Sequence, residues 1–531
     1  MRLGVMVDCS RNAVPTIETL KTFAAQISRM GYRELLLYAE DVIDVPGIPE
    51  FGYMRGSYSA EEIRQLDDFC ASQGIELVPC VQTLAHLESL FRHPRFQPLA
   101  DIGGILYIGR EEVYDWIGTQ LRALSSCFSS RKIHLGMDEA NLAGLGRMLF
   151  EKGYREKHEL MSEHLLRVKK LAEQSGFTEC RVWYDQFAWS AYGDDFYGGE
   201  MLLHPEFCAE FPKDVELVYW DYGEWCACPH EPDNYIRHIE RYRKISPKVS
   251  MAGCAWKWVN FVPDNDNSAK VNTAQIAACR KCGVENYLVT MWADGGGEAS
   301  LFSVLPALYL TACAARGRES DPEEFREITG ADFFELLALD EMNKIFGDSG
   351  IVNNQSRNYL YADPLLGTFD EKVRPGTGAK YAALAKKYAS AGTDRYRLLF
   401  DTASCLASVL EIKAEWGRKL RLAYRAGDRE EVRALAVEGR EMLRRLKSFG
   451  RAFRLQWETE NKTFGFEVFC QKLGGLRMRI EDTVERLTEW IEFRRAELPE
   501  LKNEILAELP GDADTLLRGY SDLVTYGKFP S

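Results

Sequence analysis

Eight short runs rich in β-branched and aromatic residues recur through the first 315 residues, with amphipathic stretches of helical period between them. The runs are LGVMVD (3–8), ELLLYA (34–39), IELVPC (75–80), KIHLGM (132–137), CRVWYD (180–185), VELVYW (215–220), VSMAGC (249–254) and NYLVTM (286–291). Such alternation marks parallel βα units, and eight units is the number that closes a barrel. TIETLKTFAAQISRMG and SAEEIRQLDDFCASQG, after the first and second runs, each end in a glycine suited to a C-cap. The predicted fold class is therefore α/β, a (β/α)8 TIM barrel over residues 1–315.

From residue 316 the strand-like runs stop, and Arg, Glu, Lys, Leu and Ala at helical spacing dominate from 378 to 496. An α-helical C-terminal domain is predicted for 316–531, joined through the polar segment ARGRESDPEE at 315–324. In EEVRALAVEGREMLRRLKSFG the charges interleave, the pattern of a solvated helix face. These helices would pack on the barrel, bind another protein or form a homodimer.

A chain of 531 residues is long enough for two or three domains at about 100–200 residues each. With 46% hydrophobic and 27% charged residues, wholesale disorder and a disulfide miniprotein are excluded. A net charge of -14 makes phosphate backbones and anionic membranes poor partners, so neither nucleic acid nor membrane is expected. The first residues, MRLGVMVDCSRN, lack the apolar core of a secretory signal, and a cytoplasmic location is predicted. Several of the 14 cysteines, including Cys80, Cys180, Cys254 and Cys313, lie in apolar runs as buried thiols do. Cys226 with Cys228 and Cys279 with Cys282 lack a second pair at zinc-site spacing, so no metal and no cofactor is expected.

Active sites of this architecture are built at the C-terminal strand ends. All eight histidines and eight of the eleven tryptophans precede residue 316. Adjacent carboxylates, Asp138 and Glu139, follow the fourth strand in IHLGMDEA. Their side chains leave the backbone in different directions, so each can meet a different part of one ligand. Strands five to eight end in or near Trp183, Trp220, Trp256 and Trp292, and flat indoles suit the apolar faces of pyranose rings. Tyr184, Asp185, Asp221, Tyr222 and Asp294 accompany them as partners for hydroxyls. Arg11 beyond the first strand and His86 beyond the third are placed at the same mouth. His134, within strand four, is read either as orienting the carboxylates from below or as a satisfied core histidine.

These residues resemble the β-N-acetylhexosaminidases of glycoside hydrolase family 20 over residues 1 to about 315. The family's His-x-Gly-Gly-Asp-Glu stands here as His134-Leu135-Gly136-Met137-Asp138-Glu139, with methionine at the second glycine. Asp8-x-x-Arg11, Trp183-x-Asp185 and Trp292-x-Asp294 are similar to further family motifs, the last in place of Trp-x-Glu. The family's small α/β domain before the barrel and its Tyr-x-Asp near strand seven are not evident, and Ala255-Trp256-Lys257-Trp258 occupies the latter region. A divergent branch is implied.

The resemblance implies an exo-acting enzyme that removes terminal non-reducing β-linked GlcNAc or GalNAc from oligosaccharides or glycoconjugates. In the family the substrate's 2-acetamido oxygen is the nucleophile, one of the exceptions to the two-carboxylate scheme. Glu139 would then be the general acid and base, and Asp138 would hold the acetamido N–H and balance the oxazolinium charge. Tyr222 would be the tyrosine that stabilises this intermediate, with Tyr184 second. The tryptophans would form the cage and platform for the sugar. Two rival classes fit the same residues: a metal-dependent sugar isomerase using Asp138, Glu139, Asp185, Asp221 and Asp294, and a sugar-binding barrel without catalysis.

Overall fold

The computed structural model describes residues 1–193, 201–223, 230–345, 355–393, 395–505 and 519–528. Eight parallel strands close a barrel: β1 Arg2–Asp8, β2 Glu34–Ala39, β3 Glu76–Val81, β4 Lys132–His134, β5 Glu179–Trp183, β6 Glu216–Trp220, β7 Val249–Cys254 and β8 Asn286–Met291. Each strand pairs with its neighbours in sequence, and β1 pairs with β8 from Arg2↔Asn286 to Val7↔Met291. The chain is thus a TIM-type barrel followed by an α-helical region, as its alternating pattern predicts.

The helices between strands begin and end where the sequence supplies caps. Thr16 and Ser59 accept the first free N–H groups of helices Ile17–Met30 and Ala60–Ser72, and Gly31 closes the former in the left-handed conformation. Met6, Leu36, Val78, Val218 and Ala252 point into the barrel and pack with Trp183. At the opposite end from the strand C-termini, Arg181 donates to Glu34 at 2.7 and 3.2 Å and lies 3.3 Å from Glu216. Lys132 reaches Glu34 at 2.7 Å. Each buried charge there is paired, as desolvation requires.

Strand four differs from its sequence reading. It ends at His134, not at residue 137, because Gly136 and Met137 both take left-handed backbone conformations, with φ of 72° and 73°. A side chain at 136 would put its Cβ 2.4 Å from Gln82 Oε1 and 2.6 Å from Val81 O, so glycine is the residue that fits. Strand five likewise ends at Trp183, and Asp185 opens the helix Asp185–Tyr192.

The chain packs as two compact units. One comprises residues 1–255, 268–292 and 307–320; the other comprises 256–267, 293–306 and 321–531. In the second, helices Arg397–Arg425, Arg429–Glu460 and Phe466–Ile491 run antiparallel in succession, with Trp416 donating to Leu435 O and Phe453 packed against Phe449, Trp457 and Phe469. The segments 256–267 and 293–306 are packed within this unit. Phe261 meets Phe449 and Phe453 edge-on, Ser300 donates to Glu460 at 2.7 Å, and buried Glu298 lies between Arg357 and Lys472 at 3.7 and 3.6 Å. Among the described residues no helix is long and apolar enough to cross a membrane.

Candidate active site

The chain that leaves β4 turns sharply through Gly136 and Met137 and delivers Asp138 and Glu139 to the mouth of the barrel. Asp138 is 6% exposed, whereas the Glu139 side chain is 57% exposed. Gln82, just past β3, donates to Asp138 Oδ1 at 2.6 Å and accepts the Met137 N–H at 3.2 Å, so it fixes both the turn and the carboxylate. His86 Nε2 stands 3.2 Å from Asp138 Oδ2 and 3.5 Å from Glu139 Oε2. Both His86 and Glu139 have positive φ, at 57° and 51°, in a region that non-glycine residues seldom occupy outside constrained sites.

Burial alone would raise Asp138, but the His86 charge and hydrogen bonds from His86 and Gln82 outweigh it and hold the carboxyl below its usual range. Burial likewise opposes the charge on His86, yet Asp138 drives this imidazole up to about 9. The two therefore face each other as an ion pair at neutral pH. Asp185, past β5, receives the Glu139 N–H and Gln186 Nε2, each at 2.8 Å. Burial first, and then the Asp138 charge, push Asp185 up to about 7. It braces the Glu139 backbone while sharing a dry environment with an ionised neighbour.

Aromatic residues line the same end. Trp183 is fully buried below Trp292, with ring centroids 5.9 Å apart, and His134 packs 4.2 Å from it. Trp292 is half-buried and donates Nε1–H to the Tyr222 hydroxyl at 2.7 Å. Trp220, also half-buried, stacks on Tyr222 at 5.6 Å and 20°. Arg11 Nη1 lies 3.1 Å from Glu40 Oε1 and 3.6 Å from Asp8 Oδ2, with its cation 5.9 Å above the Trp292 ring. Trp183 Nε1 and Asp185 Oδ1 are buried polar atoms that find no hydrogen-bond partner among the described residues.

Asp138, Glu139, His86, Asp185, Arg11, Trp183, Trp220, Tyr222 and Trp292 are thus brought to one end of the barrel. Tyr184 is fully buried, packed against Tyr219 and Tyr242 and, among the mouth residues, against Trp220 edge-on. Asp221 is also buried, accepting from the Tyr219 hydroxyl at 2.9 Å and the Gly223 N–H at 2.8 Å. Trp256 and Asp294 belong to the second unit. There Trp256 stacks on Trp258 at 3.8 Å, and the Asp294 carbonyl accepts the Val259 N–H. Cys226 and Cys228 lie outside the described residues.

Gln82, Tyr38 and Glu40 were not among the residues singled out by sequence. The Gln82 amide also donates to Tyr38, whose hydroxyl donates to Glu40 at 3.2 Å. Burial raises Glu40 to about 7 against the opposing pull of Arg11. Each follows or closes a strand, and inspection of every strand end would have included them.

His134 serves the turn, not the mouth. Its Nδ1 accepts the Gly136 N–H at 3.1 Å, and burial, then Arg181, lower its pKa from 6.5 to about 3. In the unfolded chain the same imidazole binds its proton near 6.5, so unfolding takes up a proton between about pH 6.5 and 3 and stability falls as pH drops through that window. We expect His134→Asn, which retains an acceptor, to flatten the dependence of unfolding free energy on pH by up to about 1.4 kcal/mol per pH unit. Urea titrations at several pH values between 4 and 7 would check this. An unchanged slope would assign the acid sensitivity to other groups.

The fold and this mouth define a (β/α)8 protein with a carboxylate pair beside half-buried indoles. Residues 331–515 match the family model described as the Glycoside Hydrolase 20C C-terminal domain. The chain is similar to human Hexosaminidase D, 23% identical over 254 residues that make up 46% of this chain and 49% of that protein. It is similar also to the Beta-hexosaminidase of Akkermansia muciniphila, 24% identical over 300 residues, 49% of this chain and 53% of that one. The chain therefore spans about half the length of these curated relatives, and it is a distant relative of theirs in sequence. A β-N-acetylhexosaminidase structure from Bacteroides fragilis NCTC 9343 overlaps 62% of this chain and 68% of its own, with 19% identity and a TM-score of 0.46.

Proposed function

We propose that the chain is an exo-acting β-N-acetylhexosaminidase that removes terminal β-linked GlcNAc or GalNAc with retention, its catalytic barrel being residues 1–315. The observation that carries this reading is the unequal environment of two adjacent carboxylates: Asp138 buried and held ionised against His86 and Gln82, Glu139 open to the mouth. Such a division suits an anion that orients an acetamide and an acid that meets the leaving group. The similarity to two hexosaminidases, and the match of residues 331–515 to a glycoside hydrolase 20C C-terminal domain, support it.

In this mechanism the acetamido oxygen attacks the anomeric carbon while Glu139 protonates the departing glycosidic oxygen. The C–O bond to the aglycone breaks, and a bicyclic oxazolinium forms whose N–H is held by Asp138. Tyr222, beside Trp292 and Trp220, would steady that ring. Glu139, now a carboxylate, takes a proton from water as the water attacks the anomeric carbon on the face the aglycone left, breaks its bond to the acetamido oxygen and restores the original configuration. Asp221 has both carboxylate oxygens committed to protein donors, which takes one candidate ligand from a metal-held isomerase site. The described cysteines are free thiols and mostly buried, in keeping with a cytoplasmic setting.

Release of 4-nitrophenol tests the substrate class. The β-GlcNAc or β-GalNAc glycoside should turn over readily and the β-glucoside, which has no acetamide, should not. Comparable turnover of the glucoside would refute the proposed nucleophile.

A further inference from the structure

Away from the mouth, His158, His204 and Glu206 each offer a ligand atom, and these atoms lie within 4.8 Å of one another. His158 is in the first turn of helix Lys157–Gln174, and His204 immediately precedes helix Pro205–Glu210. The two imidazole rings stack at 3.9 Å and 20°, and His204 Nδ1 is 3.1 Å from Glu206 Oε1. None of the three shares a hydrogen bond or ion pair with the Asp138 cluster in the contacts described above, so the glycosidase reading leaves them unused.

We propose that His158, His204 and Glu206 form a binding site for one borderline divalent transition metal, of which Zn2+ is the type. Two imidazoles with one carboxylate is a donor set that suits Zn2+ and its neighbours, whereas Ca2+ and Mg2+ take oxygen ligands almost entirely. Ligand atoms at about 2.0–2.2 Å from a tetrahedral ion are roughly 3.3–3.6 Å apart. Closing from the observed spread takes about an ångström of side-chain movement and a tilt of the two rings out of their stack, so that the lone pair in each ring plane meets the ion; these partly exposed groups can make both. Three protein ligands leave a fourth position for water. The His204 and Leu203 N–H groups both bond to Ala191 O at the end of helix Asp185–Tyr192. An ion here would therefore tie the start of one barrel helix to the segment anchored on the end of the next.

The test uses the full chain, freed of metal with a chelator and titrated with CoCl2 and ZnCl2. We expect one equivalent of Co2+ to give visible d–d bands without the near-ultraviolet band of thiolate ligation, which separates this site from the chain's cysteines. Zn2+ should displace it and raise Tm. His158→Ala and His204→Asn should each weaken binding at least tenfold and abolish the Tm shift, while hydrolysis of an N-acetylhexosaminide stays unchanged. Both variants are partly exposed positions, and their melting without metal checks that they fold. Absence of binding at ten protein equivalents, a thiolate band, or the same affinity in both variants would overturn the proposal. Because the readouts are spectral and thermal, a failure here is independent of whether the chain is a glycosidase.

Discussion

Glu139→Gln should lower kcat/KM by about 10²- to 10⁴-fold on a disaccharide with a poor leaving group. The substitution keeps the shape and the backbone bond to Asp185 but removes the proton that must reach the departing oxygen. A 4-nitrophenolate needs little protonation, so the loss on that substrate should be much smaller for glycosylation. The exposure of Glu139 makes the variant a fair test, because little packing depends on its side chain. Initial rates on the two substrates measure the contrast. Equal and small losses would make Glu139 a residue of the loop and no more.

Asp138→Asn should cost about 10²- to 10³-fold, judged from the loss of a group that stabilises transition-state charge, and the defect should not shrink with an activated leaving group. The anion lost is the one that orients the acetamide. A second consequence follows from the structure: Asp138 is the group that raises His86 to about 9, so the variant's His86 should titrate at markedly lower pH. NMR titration of the His86 ring reads this directly, and an unmoved titration would deny the ion pair. Azide supplies a further discrimination with Asp138→Gly. The acetamido group remains the better-placed nucleophile, so no α-glycosyl azide should accumulate; its appearance would identify Asp138 as a direct nucleophile.

Much of the barrel was legible because strands covered on both faces read as unbroken apolar runs; β2, β7 and β8 fall at the residues read from sequence. The end of β4 was not legible. KIHLGM carries no turn signal beyond its one glycine, and nothing in a methionine announces a φ of 73°; the steric demand at Gly136 comes from Gln82 and Val81, 50 and more residues earlier in the chain. The same long-range pairing hid Gln82 and Glu40, whose importance depends on which strands become neighbours. Tyr184 was legible in principle. Side chains alternate along a strand, and with Trp183 in the barrel core the next residue faces the helix layer, where Tyr219 and Tyr242 meet it. Asp138 and Glu139 stood out because position at a strand end is itself a chemical signal.

Participation by the substrate's own acetamide is tested most directly by inhibition with the thiazoline fused to the GlcNAc ring, a stable mimic of the bicyclic intermediate. It should compete with substrate and bind at least about 10²-fold tighter than KM, as mimics of a stabilised intermediate do, and Asp138→Asn should weaken it. An enzyme that turns over the N-acetylhexosaminide yet ignores the thiazoline at concentrations above KM would contradict the assignment and place the nucleophile on the protein.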